Sequence, residues 1–437
     1  MRGLHLIFFL FIFNINFAQD LTFPKADTLT YNAYLKNDFK TIREVGNKAL
    51  KNKIDFYFLR YRMGVACFEM KNYMEAAKHF EKAYNFDDSE AQLKEYLYFS
   101  YLYGGQKERA GILASGFSEE EKAKIKYKPS VIESIGLSAG ILKTNNYTAN
   151  FKNKDFTSPF PYGQATIYNN VHYENLTINL RISPKFRWTN YGSFASNNYF
   201  AVVQNNYPVA KTLTTEDKTE YYQLNSLLNY SNKSWNFGVG AGAYYSTYYS
   251  YYTDIANPDS GLLKNKFMKT NYSGSVSVSK NFQYFTPKLE ASYSNLSEKK
   301  NFSSELGIYV YPLGNLNLYL NSKVAFLKNE TDKNLIFSQL IGCKIVSKLW
   351  IDVFGSYGNH ENLIADNGLS VFYTPNKINW YSGTNFNFYF KKFDFSLGYV
   401  LQQREGNYQI YSDPQTFINK TYTFSYNLIN TKITWKF

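Results

Sequence analysis

The C-terminal two-thirds of the chain alternates between apolar and polar side chains with a period of two. In the segment 235–243, tryptophan, phenylalanine, valine and alanine occupy the odd positions, and asparagine or glycine occupies the even positions. Because successive side chains of a β-strand point to opposite faces, this pattern predicts strands with one apolar and one polar face. The pattern begins after Pro129 and continues to Phe437. The region 129–437 is therefore expected to be mainly β.

A clear hairpin is predicted in the segment 378–402. Phe386, Phe388 and Phe390 share one face of its first strand, and Lys391 and Lys392 form the tight turn. Segments 306–310, 316–320 and 349–353 alternate in the same way, with a turn at 312–315 between the first two. Successive hairpins of this kind favour an antiparallel sheet.

Two folds accommodate such strands, a soluble sandwich and a membrane barrel. The sandwich buries its apolar face against a second sheet, whereas the barrel turns that face toward lipid and keeps the polar face around a lumen. Aromatic residues near strand ends, such as Tyr244, Tyr245, Tyr248 and Tyr249, are typical of the interfacial girdles of a barrel. The alternating segments are also long enough, at about ten residues, to cross a bilayer at a tilt. The pattern therefore favours a transmembrane antiparallel β-barrel.

The last strand resembles the C-terminal strand signal of bacterial outer-membrane proteins. Ile433, Trp435 and Phe437 alternate with polar or charged residues, and phenylalanine is the final residue of the printed sequence. The resemblance implies that these three residues are recognised by the machinery that assembles barrels in the outer membrane.

The length of the β region sets the expected size of the barrel. At roughly 19 residues for each strand and its turn, residues 129–437 predict about 16 strands. Counts of 14 or 18 stay open, because the linkers near 205–218 and 253–266 are long where short periplasmic turns are expected. An even number of strands would place both ends of the barrel in the periplasm, together with any domain that precedes it.

Residues 23–124 instead show a helical period near 3.6 and a repeat of 34 residues. Shifted by 34, Met63 falls on Leu97 and Tyr73 falls on Phe39. The middle copy resembles the tetratricopeptide repeat, in which small residues let two antiparallel helices cross closely. In that resemblance Gly64 would be a close-approach position and Phe80 would fill the space between helices. An ordinary amphipathic helical bundle is the alternative.

The resemblance implies a small helical domain at 19–128 with about three repeats, whose concave face binds a protein or polymer. Tyr61, Phe68, Glu95 and Phe99 are expected to face that surface, although the aromatic members could equally belong to the core. A charged stretch at 119–128 ends the helical section and predicts the domain boundary.

The first eighteen residues have the pattern of a secretory signal peptide. Arg2 precedes an almost continuous apolar run at 4–13, and Ala18 offers a small residue for cleavage. Segment 1–18 is therefore expected to be removed after export. No later stretch has 18 consecutive apolar residues, so no membrane-spanning helix is predicted.

Composition adds no chemistry to this picture. The net charge of +13 is spread thinly along the chain, which argues against nucleic acid as a partner. Cys67 and Cys343 are far apart, and His79, His172 and His360 are isolated from one another. We therefore expect no enzyme activity, no catalytic residue, no metal site and no cofactor. A barrel hydrolase that uses His172 or His360 with a serine is a minor alternative.

Two further features have structural explanations. The glycines of the segment 238–242 lie in an alternating strand with no helix after it, so we expect them to relieve crowding on the lumen face rather than bind a dinucleotide. Cys343 shares the apolar face of its strand with Leu335, Phe337 and Ile345 and is expected to face lipid.

Periplasmic helical repeats followed by an outer-membrane barrel resemble the exporters of cellulose and poly-N-acetylglucosamine, and the smaller YaiO-type barrel proteins. The resemblance implies a passive, porin-like conduit through the outer membrane for a polar substrate such as a polysaccharide. It also implies a periplasmic protein or polymer partner bound by the repeats. The alternative is an interaction protein, in which the barrel is an anchor and the repeats recruit an envelope complex.

Overall fold

The computed structural model describes residues 21–145, 162–205, 211–254, 261–330, 332–412 and 416–437. The predicted signal peptide at 1–18 therefore lies outside the described residues. The chain forms two compact units, Met1–Leu97 and Tyr98–Phe437. Each unit is considered by itself.

Helices fill the described residues up to Lys124, and their first residues recur at intervals of 34. The bounds are α1 (Phe23–Leu35), α2 (Phe39–Lys51), α3 (Tyr57–Glu69), α4 (Tyr73–Phe86), α5 (Ala91–Tyr103), α6 (Lys107–Ser115) and α7 (Glu119–Lys124). The starts of α1, α3 and α5 are 34 residues apart, and so are those of α2, α4 and α6. The sequence interval therefore corresponds to a pair of helices.

Small residues bring the helices of the first unit together. A Cβ atom added at Gly64 would lie 2.5 Å from the ring of Phe80, so α3 and α4 could not pack as they do with any larger residue there. Asp38 and Asn72 cap α2 and α4 by accepting hydrogen bonds from backbone N–H groups of Thr41 and Glu75. The caps fix the starts of α2 and α4, and Gly64 sets the close distance between α3 and α4.

The second unit contains a closed antiparallel barrel. Its strands are β1 (Ile132–Thr144), β2 (Tyr162–Arg181), β3 (Phe186–Asn205), β4 (Lys211–Asn232), β5 (Trp235–Thr253), β6 (Leu262–Lys280), β7 (Phe285–Ser294), β8 (Asn301–Val310), β9 (Leu318–Lys328), β10 (Lys333–Val346), β11 (Leu349–Tyr357), β14 (Lys377–Tyr389), β15 (Phe393–Tyr411) and β16 (Phe417–Lys436). Two short strands, β12 (Ile364–Ala365) and β13 (Ser370–Val371), pair only with each other.

The described barrel has 14 strands, so the prediction of about 16 was wrong in number. Strands β2 to β6 have 19 to 22 residues each, which is more than the sequence estimate allows for a strand alone. Residues 358–376 add no strand to the wall, since they connect β11 to β14 through the separate pair β12 and β13. The long strands and the segment 358–376 therefore take up residues that an estimate of about 19 residues per strand and turn assigned to two further strands.

Closure joins the first and last strands. Strand β1 pairs with β16, and Ile135 lies opposite Trp435 in that ladder. Strand β15 makes an additional short ladder with β2, from Tyr162 opposite Tyr411 to Ala165 opposite Tyr408. The long β15–β16 hairpin therefore continues to pair beyond the point where β1 ends.

The predicted hairpins are present, but the long linkers lie at the end of the barrel opposite to the one expected. Lys391 and Lys392 lie in the turn between β14 and β15, as predicted. Connections of two to seven residues lie at the end of the barrel where β1 begins. The linkers near 205–218 and 253–266 overlap the β3–β4 and β5–β6 connections at the opposite end. Their length therefore does not conflict with short turns at the first end.

A cluster of charges joins α6 to the first strands. The carboxylate of Glu133 lies 3.1 Å from Lys107 Nζ and 2.9 Å from Arg187 Nε, and it also pairs with Arg181. Arg187 pairs in addition with Glu108. Because Lys107 and Glu108 begin α6, these pairs fix the start of that helix against β1–β3.

Candidate functional site in the barrel lumen

The two faces of the barrel strands differ in polarity as the alternation predicts. On the outer face, Val239, Val276 and Leu306 are 57–61% exposed. On the inner face, buried polar and charged side chains include Asn225, Glu290 and Glu305. Cys343 lies on the outer face opposite Leu318 and Ile351, in agreement with its expected position. In the described ranges, no helix is both long enough and apolar enough to cross a bilayer.

Residues 358–376 fold into the lumen and form what we call the inward hairpin. Its two arms pair through β12 and β13, and its tip is Asp366, Asn367 and Gly368. All three tip residues have a positive φ, between 54° and 85°. Two of the three are asparagine and glycine, which tolerate this left-handed conformation best.

The inward hairpin crosses the lumen from one wall to the other. It leaves the wall between β11 and β14, and the carbonyl of Gly368 at its tip accepts a hydrogen bond of 2.5 Å from Asn225 Nδ2 on β4. Strand β4 is seven strands from β11 in either direction around the barrel. The hairpin therefore spans the full width of the lumen.

Charged side chains on β7, β8 and β9 hold the tip. The backbone N–H of Asn367 donates to Glu290 Oε1 over 2.7 Å, and Lys323 Nζ lies 2.6 Å from the Asp366 carboxylate. Lys323 also pairs with Glu305, at 3.1 Å, and Lys288 pairs with Glu290, at 2.8 Å. Each wall carboxylate is thus balanced by a lysine, while the tip contributes one further negative charge.

The root of the inward hairpin is held by a histidine. His360 Nδ1 lies 3.1 Å from the carbonyl oxygen of Ile378, so Nδ1 carries a proton and donates it. Its Nε2 lies 2.6 Å from Ser356 Oγ and is left as an acceptor. This Ser–His contact is enclosed, because both side chains are at most 5% exposed. It connects the root to β11 and β14, and His172 lies apart from it on the outer face of β2.

The glycines of β5 make room for the tip of the inward hairpin. They were expected to relieve crowding on the lumen face, and the tip is what approaches them there. A Cβ atom added at Gly240 would lie 2.7 Å from the carbonyl oxygen of Asn367 and 2.5 Å from Ser275 Oγ. At Gly242 it would collide with Asn225 and Tyr244. The segment thus relieves crowding where the hairpin meets the wall.

A cavity of about 600 Å³ lies beside the second arm of the inward hairpin. Besides Tyr373 of that arm, its wall is dominated by tyrosine rings and by amide side chains. The tyrosines are Tyr168, Tyr199, Tyr221, Tyr248, Tyr249, Tyr251, Tyr373 and Tyr408, and the amides are Gln164, Asn407, Gln409 and Asn419. Its charged lining residue, Lys269, is paired with Glu298 at 2.5 Å. The cavity thus offers aromatic faces and neutral hydrogen-bonding groups.

The residues predicted to form a partner-binding face lie on α3 and α5. Tyr61 and Phe68 both contact the ring of Tyr96, with ring centroids 6.2 Å and 5.2 Å apart. Glu95 precedes Tyr96 on the same helix. Phe99 belongs to the second unit and stacks on Tyr103. Partner binding by these residues stays a prediction.

The first unit also contains a cluster that sequence analysis missed. Ligand-type atoms of Cys67, Glu75 and His79 lie within 4.8 Å of one another, although the cysteine and histidine are twelve residues apart. Arg43 binds Glu75 at 3.0 Å, and Arg60 Nη1 lies 3.2 Å from His79 Nδ1. The guanidinium groups of Arg43 and Arg60 therefore bind the carboxylate and the imidazole of this cluster, and they explain its geometry without a metal ion.

The residues of the predicted assembly signal lie at the end of the barrel wall. Ile433 and Trp435 lie opposite Leu137 and Ile135 on the outer face of the β1–β16 ladder. Phe437 follows the last strand and is 66% exposed. Recognition of these residues by an assembly factor stays a prediction.

No family model matches the chain, and no curated protein matches it. Several solved structures are similar in fold. The Pseudomonas putida toluene transporter TodX is 6% identical with a TM-score of 0.46, covering 74% of this chain and 95% of its own. A Pseudomonas aeruginosa FadL homologue is 9% identical with a TM-score of 0.46, covering 70% and 90%. A bacterial polysaccharide outer-membrane secretin is 10% identical with a TM-score of 0.34, covering 71% and 100%.

Proposed function

We propose that this chain is an outer-membrane barrel that passes a polar substrate through its lumen and is gated by the inward hairpin. The observation that carries the proposal is the hairpin itself. It crosses the lumen without a continuous ladder to the wall. Side-chain bonds, such as Lys323 to Asp366 and Asn225 to Gly368, hold it together with the packing of Leu363 and Ile364 against wall residues. Such a segment can move while the 14 wall strands stay paired in a closed ring.

The apolar exterior supports the membrane assignment. Residues such as Val239 and Leu306 are about 60% exposed on the described barrel wall, and burying them in hydrocarbon removes this area from water. The short connections lie at the end where β1 begins, as they do on the periplasmic side of outer-membrane barrels. In this orientation the helical unit is periplasmic and captures a protein or polymer there.

The tyrosine-lined cavity supports a carbohydrate as the substrate. Aromatic rings pack against the faces of sugar rings, and amide groups such as those of Asn407 and Asn419 hydrogen-bond hydroxyls. A polysaccharide chain or a shorter sugar is therefore the substrate that we propose. The second candidate function is a membrane anchor for an envelope complex, and it is favoured by the hairpin's complete crossing of the lumen.

Single-channel recording in planar bilayers tests the proposal. Asn362 N lies 3.1 Å from the carbonyl oxygen of Phe372, so residues 363–371 are replaceable by two glycines without separating the arms of the hairpin. The full chain is expected to conduct in brief openings, and the shortened variant is expected to conduct steadily. Current block by maltotriose or an N-acetylglucosamine trimer then tests the sugar. If both proteins insert and stay silent, the conduit is wrong and the anchor is favoured.

A further inference from the structure

A cleft of about 560 Å³ lies at the base of the barrel, between α7 and the β2–β3 turn, and we call it the basal cleft. Lys122 and Lys128 line it on the side of α7, and Arg181 lines it where β2 ends. Val131 and Ile182 complete its outer edge. All of these residues belong to the second unit.

The cleft carries an excess of positive charge. Lys128 is exposed and makes no ion pair with any described residue, and Lys122 pairs with the largely exposed Glu119 at 2.9 Å. Arg181 binds Glu133 and the hydroxyl of Tyr127, but its buried Nε has no hydrogen-bond partner among the described residues. Two ammonium groups beside the Arg181 guanidinium are suited to a phosphate group.

The outer edge of the same cleft is apolar. Val131 is 70% exposed and Ile182 is 59% exposed. They lie next to the start of the apolar exterior, where Phe186 and Trp188 are about 40% exposed on β3. A free phosphate ion gains nothing from these side chains, whereas a lipid places its acyl chains against them.

We propose that the basal cleft binds the headgroup of an anionic phospholipid from the adjacent leaflet. Lys122, Lys128 and Arg181 hold the phosphate, and the acyl chains run along Val131 and Ile182. The inference rests on the proposed membrane location, because only then is a leaflet present at this height. The bound lipid fixes the depth of the barrel and stabilises α7 against its base.

Native mass spectrometry of the full chain tests this assignment. The protein in detergent micelles is given an equimolar mixture of phosphatidylglycerol and phosphatidylcholine with identical acyl chains. We expect preferential phosphatidylglycerol adducts. We expect the double variant K122Q/K128Q to bind this lipid about 25-fold more weakly, at about fivefold for each lysine. Binding of phosphatidylcholine should not change.

The chain offers a matched control at the same end of the barrel. Lys391 and Lys392 are exposed in the β14–β15 turn and do not line the cleft. The variant K391Q/K392Q changes the net charge equally and should keep the preference. Equal binding of both lipids, an equal loss in this control, or full displacement by inorganic phosphate at constant ionic strength would overturn the inference. A chain that binds neither micelles nor lipid would instead contradict the membrane location.

Discussion

Lys323 connects the wall of the barrel to the tip of the inward hairpin through Asp366. Its ammonium lies 2.6 Å from the Asp366 carboxylate and 3.1 Å from that of Glu305 on the neighbouring strand. The lysine is 15% exposed and Asp366 is 49% exposed. Loss of Asp366 therefore leaves Lys323 paired within the wall, whereas loss of Lys323 leaves Glu305 without its counter-ion.

The substitution Asp366→Asn should loosen the tip without disturbing the wall. A half-exposed ion pair contributes up to about 1 kcal/mol, so its loss changes the ratio of open to closed states by up to about fivefold. We expect longer openings in single-channel recordings. The control Lys344→Met removes a charge from β10, away from the tip, and should leave the opening time unchanged. Identical gating of Asp366→Asn and the unmodified protein would show that this pair does not hold the hairpin.

A methyl group at Gly240 should disturb the same tip from the opposite wall. The Cβ atom of alanine would lie 2.7 Å from the carbonyl oxygen of Asn367. Because this oxygen belongs to the backbone, it cannot rotate away as a side-chain atom could. Gly240→Ala is therefore expected to displace the tip and speed amide hydrogen exchange in 363–371 several-fold. Gly274→Ala on the next strand is the control, because its Cβ meets no atom within 4 Å. Equal exchange in both variants would contradict the close approach.

The alternation along the chain was sufficient to predict the barrel class and many of its strands. For example, the face that contains Phe386 and Leu397 is one side of a continuous ladder, as the pattern indicates. The number of strands could not be predicted, because a period of two fixes the face of each residue but not the length of a strand. Residues in the first half of β4 keep pairing with β3 although their outward side chains, such as Glu216 and Lys218, are charged.

The inward hairpin could not be predicted from alternation at all. Its tip has the turn sequence Asp-Asn-Gly, which marks a bend but not the side of the wall to which it folds. The partners Asn225, Glu290 and Lys323 lie on three different strands and come together only when the barrel closes. A usable signal was the glycine series in β5, since residues without side chains on a lumen face indicate that something approaches them closely.

Two adjacent residues of β6 test whether the outer face meets hydrocarbon. Val276 is 57% exposed on the outer face, and Ser277 lies beside it on the inner face. Val276→Lys should lower folding stability in lipid vesicles by about 2–4 kcal/mol if the site lies near the middle of the bilayer. Ser277→Lys should be tolerated within about 1 kcal/mol, because it adds a charge to a polar lumen. The measurement is urea unfolding in vesicles. A larger loss of stability for Ser277→Lys than for Val276→Lys would contradict the assignment of the outer face to lipid.

His79 makes the first unit sensitive to acid. Burial, together with the neighbouring Arg60, lowers the pKa of His79 from 6.5 to about 3. Arg60 Nη1 lies 3.2 Å from His79 Nδ1, and a guanidinium only donates, so Nδ1 is an acceptor and the ring is neutral. Asp55 fixes the guanidinium from the other side, at 2.6 Å and 2.7 Å. The imidazole therefore cannot take up a proton without breaking this contact.

The unfolded chain, in contrast, protonates His79 below about pH 6.5, so the stabilisation is complete above that pH and is lost as the pH falls toward 3. Between pH 7 and pH 5 the helical unit should lose about 2 kcal/mol of stability. Urea unfolding of the full chain, followed by circular dichroism at 222 nm, measures this loss. His79→Gln keeps a polar, uncharged side chain and should remove most of the pH dependence. The control Lys78→Gln, one residue earlier on α4, should retain the pH dependence. If His79→Gln is as sensitive to acid as the unmodified protein, another group causes the pH dependence.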